Sequence, residues 1–431
     1  MHFVVRTKAM TTFSNRDKNS IWHPFTPQVD GKEAVTIVRG EGALLFDEDG
    51  KEYIDAIASW WVNIHGHAHP HIAKRISDQL KTLEHSIFSG YTHKPAVILA
   101  EQLLQLIPHC GKVFYSDDGS TSVEVALKMA LQYWHNSGKP KTKFIAFENA
   151  YHGDTFGGMS VAERNVFNNA FEELLFDVAH IPVPVKGSEE RALKALEKAI
   201  DENTAAFIFE PLIQGAAGMI MYDAKILDEM IALCGKRNVI TIADEVMTGF
   251  GRTGKMFATD FLTNKPDIIC LSKGLTGGFF PLGATLCTDK IHSAFITNDK
   301  TKTFFHGHSY TGNPTACMAA LASLEVFGME NTMKRVGEIG KIFSGWMKEF
   351  SADAKVNDAR SCGAVFAIEL KTAGQTEYLN PIADRIHDFF PGHGIILRPL
   401  GNVLYVLPPY CITDVQLEKV RTVIQRFLEL N

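Results

Sequence analysis

Short apolar runs alternate with longer mixed stretches through the middle of the chain. The runs fall at 112–115 (KVFY), 144–147 (FIAF), 205–209 (AAFIF), 239–243 (VITIA) and 268–271 (IICL). Hydrophobicity that is continuous instead of alternating predicts strands buried on both faces. The helix-length segments between the runs predict crossovers, and together they give a mostly parallel sheet covered by helices. After the first run, Ala126, Met129, Ala130 and Tyr133 recur at helical spacing as one apolar stripe. Upstream of that stripe, Thr121 and Glu124 have the spacing of a capping box. Beyond about residue 330 the texture changes to a helical pattern at 333–350, short strands at 364–368 and 403–406, and a closing helix. The expected organisation is an N-terminal segment (1–70) contributing to a small domain and to the active site, a large domain (71–330) and a C-terminal small α+β domain (331–431).

Composition narrows the class. The chain has 431 residues, 45% of them apolar, enough for a large core, and its formal net charge of −6 offers no basic field for nucleic acid or an anionic membrane. No apolar run approaches the roughly 20 residues of a membrane span. Its seven cysteines are scattered, odd in number and never spaced C-x-x-C, which suits a reducing cytoplasm. Residues 1–16 carry Arg and Lys without an acid, as an organellar presequence would, but without an amphipathic period, and Met10 is an alternative start. The expectation is a cytoplasmic protein acting on small molecules.

The stretch TIADEVMTGFGRTGKM (241–256) fits two nucleotide-binding patterns at once. Gly249, Gly251 and Gly254 satisfy G-x-G-x-x-G, and Gly249 to Lys255 satisfies G-x-x-x-x-G-K. The second pattern requires a hydroxyl for Mg²⁺ after the lysine, where this chain has Met256, a thioether unsuited to a hard cation. The first should follow its strand directly and open a helix, but Asp244 and Glu245 intervene and KMFATDF has little helical period. What stands out is Asp244, an acid closing an apolar strand. The alternating His65, His67, His69 and His71 are broken by Gly66 and Pro70 and joined by no cysteine or carboxylate cluster, so no metal site is expected.

Ligands in open parallel sheets sit at the carboxyl ends of the strands. After 112–115 come Gly119 and Ser120 at a helix start, either a plain cap or a phosphate seat. After 144–147 come Tyr151 and His152, and a ring here either stacks on a planar ligand or packs in its loop. After 268–271 comes Lys273 beside Gly274, an ammonium that is costly to desolvate. A Schiff-base lysine, a carboxylate for a pyridinium nitrogen, an aromatic for a ring face and a helix start for a phosphate are the requirements of pyridoxal 5'-phosphate.

The strings ADEVMTGFGRTG, LSKGLTGG, DGSTSVEVALKMA, NAYHGDT and GHSYTGNPTACMAAL occur in this order, and over nearly its whole length the chain resembles the class III (ω-type) aminotransferases of pyridoxal-phosphate fold type I. The resemblance implies that fold, a large domain with a mostly parallel sheet flanked by helices plus a smaller α+β domain, and a ping-pong transamination. It implies Lys273 as the Schiff-base and proton-moving lysine, Asp244 on the pyridine nitrogen, Tyr151 near the ring, and Gly119 and Ser120 on the phosphate. Gly307, His308 and Ser309 match a segment that reaches the cofactor phosphate of a neighbouring subunit, which implies a homodimer. IWHPFTP, ASWWVNIHGHAHP and LRPLGNVLYVLPPYCI resemble members acting on a long aliphatic keto-amine acid. By that resemblance Trp60 and Trp61 line the substrate pocket and Arg398 holds the carboxylate. Apolar walls with a planar cation at the far end suit such a substrate. Phe25 replaces a tyrosine found in many members, which leaves the amino donor open between S-adenosylmethionine and lysine. A member acting on ornithine or γ-aminobutyrate is the alternative within the fold, and a silent binding relative the alternative outside catalysis.

Overall fold

The computed structural model describes residues 12–28, 34–374 and 376–430. The basic, acid-free stretch at the N-terminus therefore lies mostly outside the described residues, and Met10 with it. A seven-stranded sheet dominates. Its strands are β1 (Lys112–Ser116), β2 (Lys143–Phe147), β3 (Val178–Ile181), β4 (Thr204–Phe209), β5 (Ile240–Asp244), β6 (Ile268–Leu271) and β7 (Gly283–Cys287), in the spatial order β1-β7-β6-β5-β4-β2-β3. Every strand pair is parallel except those of β7, which runs antiparallel to both β6 and β1. Strands β4, β5 and β6 are buried at every position, as their unbroken apolar runs require.

The five apolar runs of the sequence all form strands. The other two carry weaker signals. β3 (VAHI) is a half-buried edge strand, and β7 (GATLC) opens on glycine and holds only a few apolar residues. The Gly119–Asn136 helix packs its stripe beneath the sheet, with Ala126 and Ala130 fully buried. Its cap differs from the expected one. Asp118, not Thr121, is the N-cap, its Oδ1 accepting from Thr121 N at 2.8 Å while Thr121 Oγ1 accepts from Asp118 N at 3.0 Å. Glu124 instead turns outward to accept from Gly157 N at 2.6 Å, because the reciprocal bond at the third helical position is already made by a threonine.

A three-stranded antiparallel sheet (Val356–Cys362, Val365–Leu370, Val403–Val406) packs on the Thr332–Phe350 helix through Phe343, Trp346 and Phe350. Near the N-terminus, Ile37–Glu41, Leu44–Asp47 and Glu52–Asp55 form a second small sheet. Ile395–Ile396 completes it in parallel with Glu52–Asp55, so early and late parts of the chain share one sheet.

The glycine-rich loop after β5 turns on a buried acid. Glu245 accepts from Thr248 Oγ1 at 2.6 Å, Ala258 N at 3.0 Å and Thr259 N at 2.7 Å. Gly251 and Gly254 adopt φ of 95° and 100°, which lets the chain fold back around that carboxyl. Lys255 donates to the Asp260 carbonyl at the surface. The four alternating histidines reach four different partners: Ser323 for His65, Asp55 for His67, Glu330 for His69 and Glu325 for His71.

Candidate active site

The carboxyl ends of β1, β2, β4, β5 and β6 open on one cavity of about 730 Å³, whose lining includes Trp61, Gly119, Ser120, Tyr151, Asp244 and Lys273. Asp244 is the last residue of β5 and only 6% exposed. One carboxyl oxygen accepts from His152 Nδ1 at 2.7 Å and the other from Val246 N at 3.1 Å, so its orientation is set from two sides. His152 is itself buried and its Nε2 has no partner among the described residues.

Lys273 begins a short turn after β6 with φ of 45°, a left-handed conformation that a non-glycine residue adopts only when its surroundings impose it. Burial pulls its pKa below that of an ordinary lysine, while Asp244, Glu210 and Asp154 push it back up. Its Nζ lies 4.9 Å from the centre of the Trp61 ring. Glu210, directly after β4, accepts from Tyr151 N at 3.2 Å and Gly215 N at 2.9 Å. Burial pushes its carboxyl up to about 7, with His152 opposing and Asp244 reinforcing the shift. Burial and the neighbouring Asp154, which its hydroxyl engages, push the Tyr151 phenol well up.

Gly119 and Ser120 occupy the first helical turn, where backbone N–H groups have no acceptor within the helix. The Ser120 hydroxyl lies 2.8 Å from Thr155 Oγ1 and accepts from Thr155 N at 3.0 Å, joining this helix start to the loop that carries Tyr151. A Cβ at Gly119 would come within 2.6 Å of Val246 Cγ1, so the helix start and the second residue after Asp244 are packed as one wall.

At the mouth, Phe25 meets Trp60 edge-on at 5.5 Å and Phe167 at 5.9 Å. Arg398 places its guanidinium 5.1 Å from the Trp60 ring centre and donates through Nη2 to the Phe25 carbonyl. The tryptophan pair is therefore divided. Trp61 is buried in the cavity wall with its Nε1 donating to Tyr405 Oη at 2.9 Å, whereas Trp60 is 38% exposed at the mouth. Positive φ at Ala58, Ser59 and Trp61 turns the two rings apart. Gly307, His308 and Ser309 lie outside this chain's cavity lining, His308 Nδ1 standing 3.4 Å from Asp117 Oδ2 at its rim. Sequence reasoning gave no role to His152, Glu210, Asp154, Phe167 or Tyr378. The first three stand one to three residues from a recognised position or directly after an apolar run, a signal available in the sequence. Phe167 and Tyr378 carry no such signal.

A buried amine, a twice-anchored carboxyl, an aromatic ring and helix-start amides line one cavity, a donor set that would suit the aldehyde, pyridine nitrogen, ring face and phosphate of pyridoxal phosphate. The chain belongs to the class III aminotransferases, a pyridoxal-phosphate-dependent family whose pattern, "Aminotransferase class-III", it matches over residues 26–428. Among its relatives, the adenosylmethionine-8-amino-7-oxononanoate aminotransferase of Synechococcus elongatus is 46% identical over 419 residues, covering 95% of this chain and 98% of the relative. The enzyme of that name from Geobacter sulfurreducens is 40% identical over 431 residues, covering 94% and 95%. The crystal structure of the Methanocaldococcus jannaschii enzyme of that name superposes with a TM-score of 0.92 at 38% identity, covering 96% of this chain and 98% of that one. An amine transaminase from an uncultivated Pseudomonas species, solved in its PLP-bound form, gives 0.89 at 32% identity, covering 94% and 97%.

Proposed function

We propose that this aminotransferase converts 8-amino-7-oxononanoate to 7,8-diaminononanoate in biotin biosynthesis, with S-adenosylmethionine as amino donor. The observation that carries the reading is the arrangement of the cavity: Lys273 at its base, apolar and aromatic walls, and Arg398 at the mouth. A nine-carbon keto-amine acid has its reacting carbonyl at one end and its carboxylate at the other, and the site presents an amine base and a guanidinium in the same order. The names of the similar enzymes from Synechococcus, Geobacter and Methanocaldococcus support it.

Pyridoxal phosphate, when bound, supplies an electron sink for the charge left at the substrate carbon once its proton is removed. Lys273, its basicity lowered by burial, moves that proton as base and then acid. Asp244, held by His152 and the Val246 amide, would pair with the ring nitrogen and favour its protonated state. Tyr151 would confine the ring, and the first-turn amides of Gly119 and Ser120 would bind the phosphate. Trp61 covers the lysine and excludes water from it. Arg398 orients the acceptor by its carboxylate, with Trp60 and Phe25 forming the walls of the mouth.

Lysine as donor is the second reading, and Phe25 leaves it open, because a ring without a hydroxyl lacks the hydrogen bond with which a tyrosine there would position the donor. The catalytic unit in this proposal is a homodimer in which Gly307, His308 and Ser309 reach the neighbouring site. The exposure of Phe305 (74%) and Tyr310 (61%) on that segment supports it. The test is to mix the cofactor-loaded enzyme with S-adenosylmethionine or with lysine, follow the loss of its long-wavelength absorbance, and then detect diamine after adding the keto-amine acid. Loss with ornithine or γ-aminobutyrate, and with neither proposed donor, would overturn the assignment.

A further inference from the structure

Arg398 does not stand alone at the mouth. Its Nη2 donates to the Tyr378 hydroxyl at 3.0 Å and to the Phe25 carbonyl at 3.0 Å, which uses both hydrogens of that nitrogen. Nη1 and Nε have no hydrogen-bond acceptor among the described residues. A phenol carries one donor and two acceptor positions, so a Tyr378 oxygen that accepts from Arg398 keeps its own hydrogen to donate. That hydrogen and the remaining guanidinium N–H donors belong to groups 3.0 Å apart.

The position of Tyr378 is built, not incidental. Its ring packs edge-on against Phe167 at 4.6 Å, and Phe167 in turn meets Phe25 and Tyr151, so a row of rings leads from Tyr378 to the cavity wall. The backbone of its segment lies on the turn that follows Arg398. A Cβ at Gly401, whose φ is 60°, would fall 1.8 Å from the Glu377 carbonyl oxygen and 3.1 Å from Tyr378 Cα. Asn402 Nδ2 then donates to the Leu370 carbonyl at 2.9 Å and to Thr376 Oγ1 at 3.3 Å, fastening the start of the same segment. The residues Arg398, Gly401 and Asn402 therefore supply both the cation and the seat of the tyrosine beside it.

We infer that Tyr378 is a second ligand for the terminal carboxylate of the acceptor, donating its phenolic hydrogen to one oxygen while Arg398 donates to the other through one of its remaining N–H groups. The inference rests on the proposed function in one respect, that the acceptor carries a carboxylate. A fork of one charged and one neutral donor distinguishes a free carboxylate from its ester, which lacks the anionic oxygen that strengthens both bonds.

The experiment compares 8-amino-7-oxononanoate with its methyl ester as acceptor, using the cofactor-loaded enzyme as wild type, Tyr378→Phe and Arg398→Ala. Tyr378→Phe keeps the ring against Phe167, and an unchanged cofactor spectrum and donor half-reaction certify its fold. The expected result is a rise of about tenfold in KM for the acid, as for loss of one hydrogen bond to a charged group, with kcat and the ester's KM unchanged. Gly401→Ala, which displaces the segment, should lose the preference for acid over ester while keeping the donor half-reaction. An unchanged acid KM in Tyr378→Phe, or an equal rise for acid and ester, overturns the inference. If wild type prefers the acid and Arg398→Ala loses that preference while Tyr378→Phe keeps it, only the inference falls. If wild type shows no preference, the proposed function falls and this inference with it.

Discussion

Glu210 is buried within electrostatic reach of Asp244 and Lys273, in an environment that disfavours its charge. Its folded pKa of about 7 lies above the ordinary 4.5, so folding favours the protonated form. Stability from this group is fully present below the unfolded value and is lost as the pH rises through about 7. In the cofactor-free protein, wild type should therefore lose stability relative to Glu210→Gln between about pH 5 and about pH 8, by up to about 3 kcal/mol, which thermal denaturation across that window would measure. A constant difference would show that the carboxyl titrates normally. Lys273 supplies the second prediction at this scale. Lys273→Ala should lower transamination by at least about 10³-fold and shift the absorbance of the bound cofactor, since no neighbouring base replaces it. Retained turnover would remove it from the mechanism.

At the scale of elements, the proposed phosphate seat depends on how one helix begins. Asp118 caps the Gly119–Asn136 helix and orders the turn in which the Gly119 and Ser120 amides sit. Asp118→Ala should cost about 1 kcal/mol in urea denaturation and weaken cofactor affinity, because the amides that bind the phosphate fray with the cap. Stability lost without any change in affinity would separate the cap from the seat. The Asp244 strand and the loop after it divide their work similarly. Asp244 faces the cavity, and Glu245 beside it accepts three hydrogen bonds that close the loop. Neighbouring residues at a strand end point to opposite sides, so one acid is presented to a ligand and the next is spent on structure.

At the scale of the whole molecule, the segment 303–312 exposes Phe305 and Tyr310, and at a second place Ile87 and Tyr91 are 62% and 68% exposed. Sedimentation should give twice the mass of one chain, and Phe305→Asp should shift the protein toward the monomer with loss of activity, as desolvating a new charge opposes association. A monomer with full activity would refute the shared site. In the proposed reaction both substrates use one cavity in turn, so initial rates at several fixed donor concentrations should give parallel double-reciprocal lines.

The five apolar runs, the acid at the end of one and the lysine after another were legible because burial and charge cost act on contiguous residues. The class of sheet, and the placing of that acid and that lysine at strand ends, could therefore be read from order and spacing alone. The same reading misassigned the helix cap, since Thr121 and Asp118 are both capping residues and only backbone geometry decides which one leads. It also kept Trp60 and Trp61 together, although positive φ at three residues sends one to the cavity and the other to the mouth. The edge strand β3 and the reversed strand β7 were silent because neither carries an unbroken apolar run. Residue identities determined the sheet, the amine and the carboxyl. Tertiary structure alone decided that His152 anchors Asp244, that the Tyr151 amide reaches Glu210, and that Tyr378 meets Arg398. Those contacts join residues 20 to 92 positions apart, and no local periodicity records which distant side chains a fold brings within hydrogen-bonding distance.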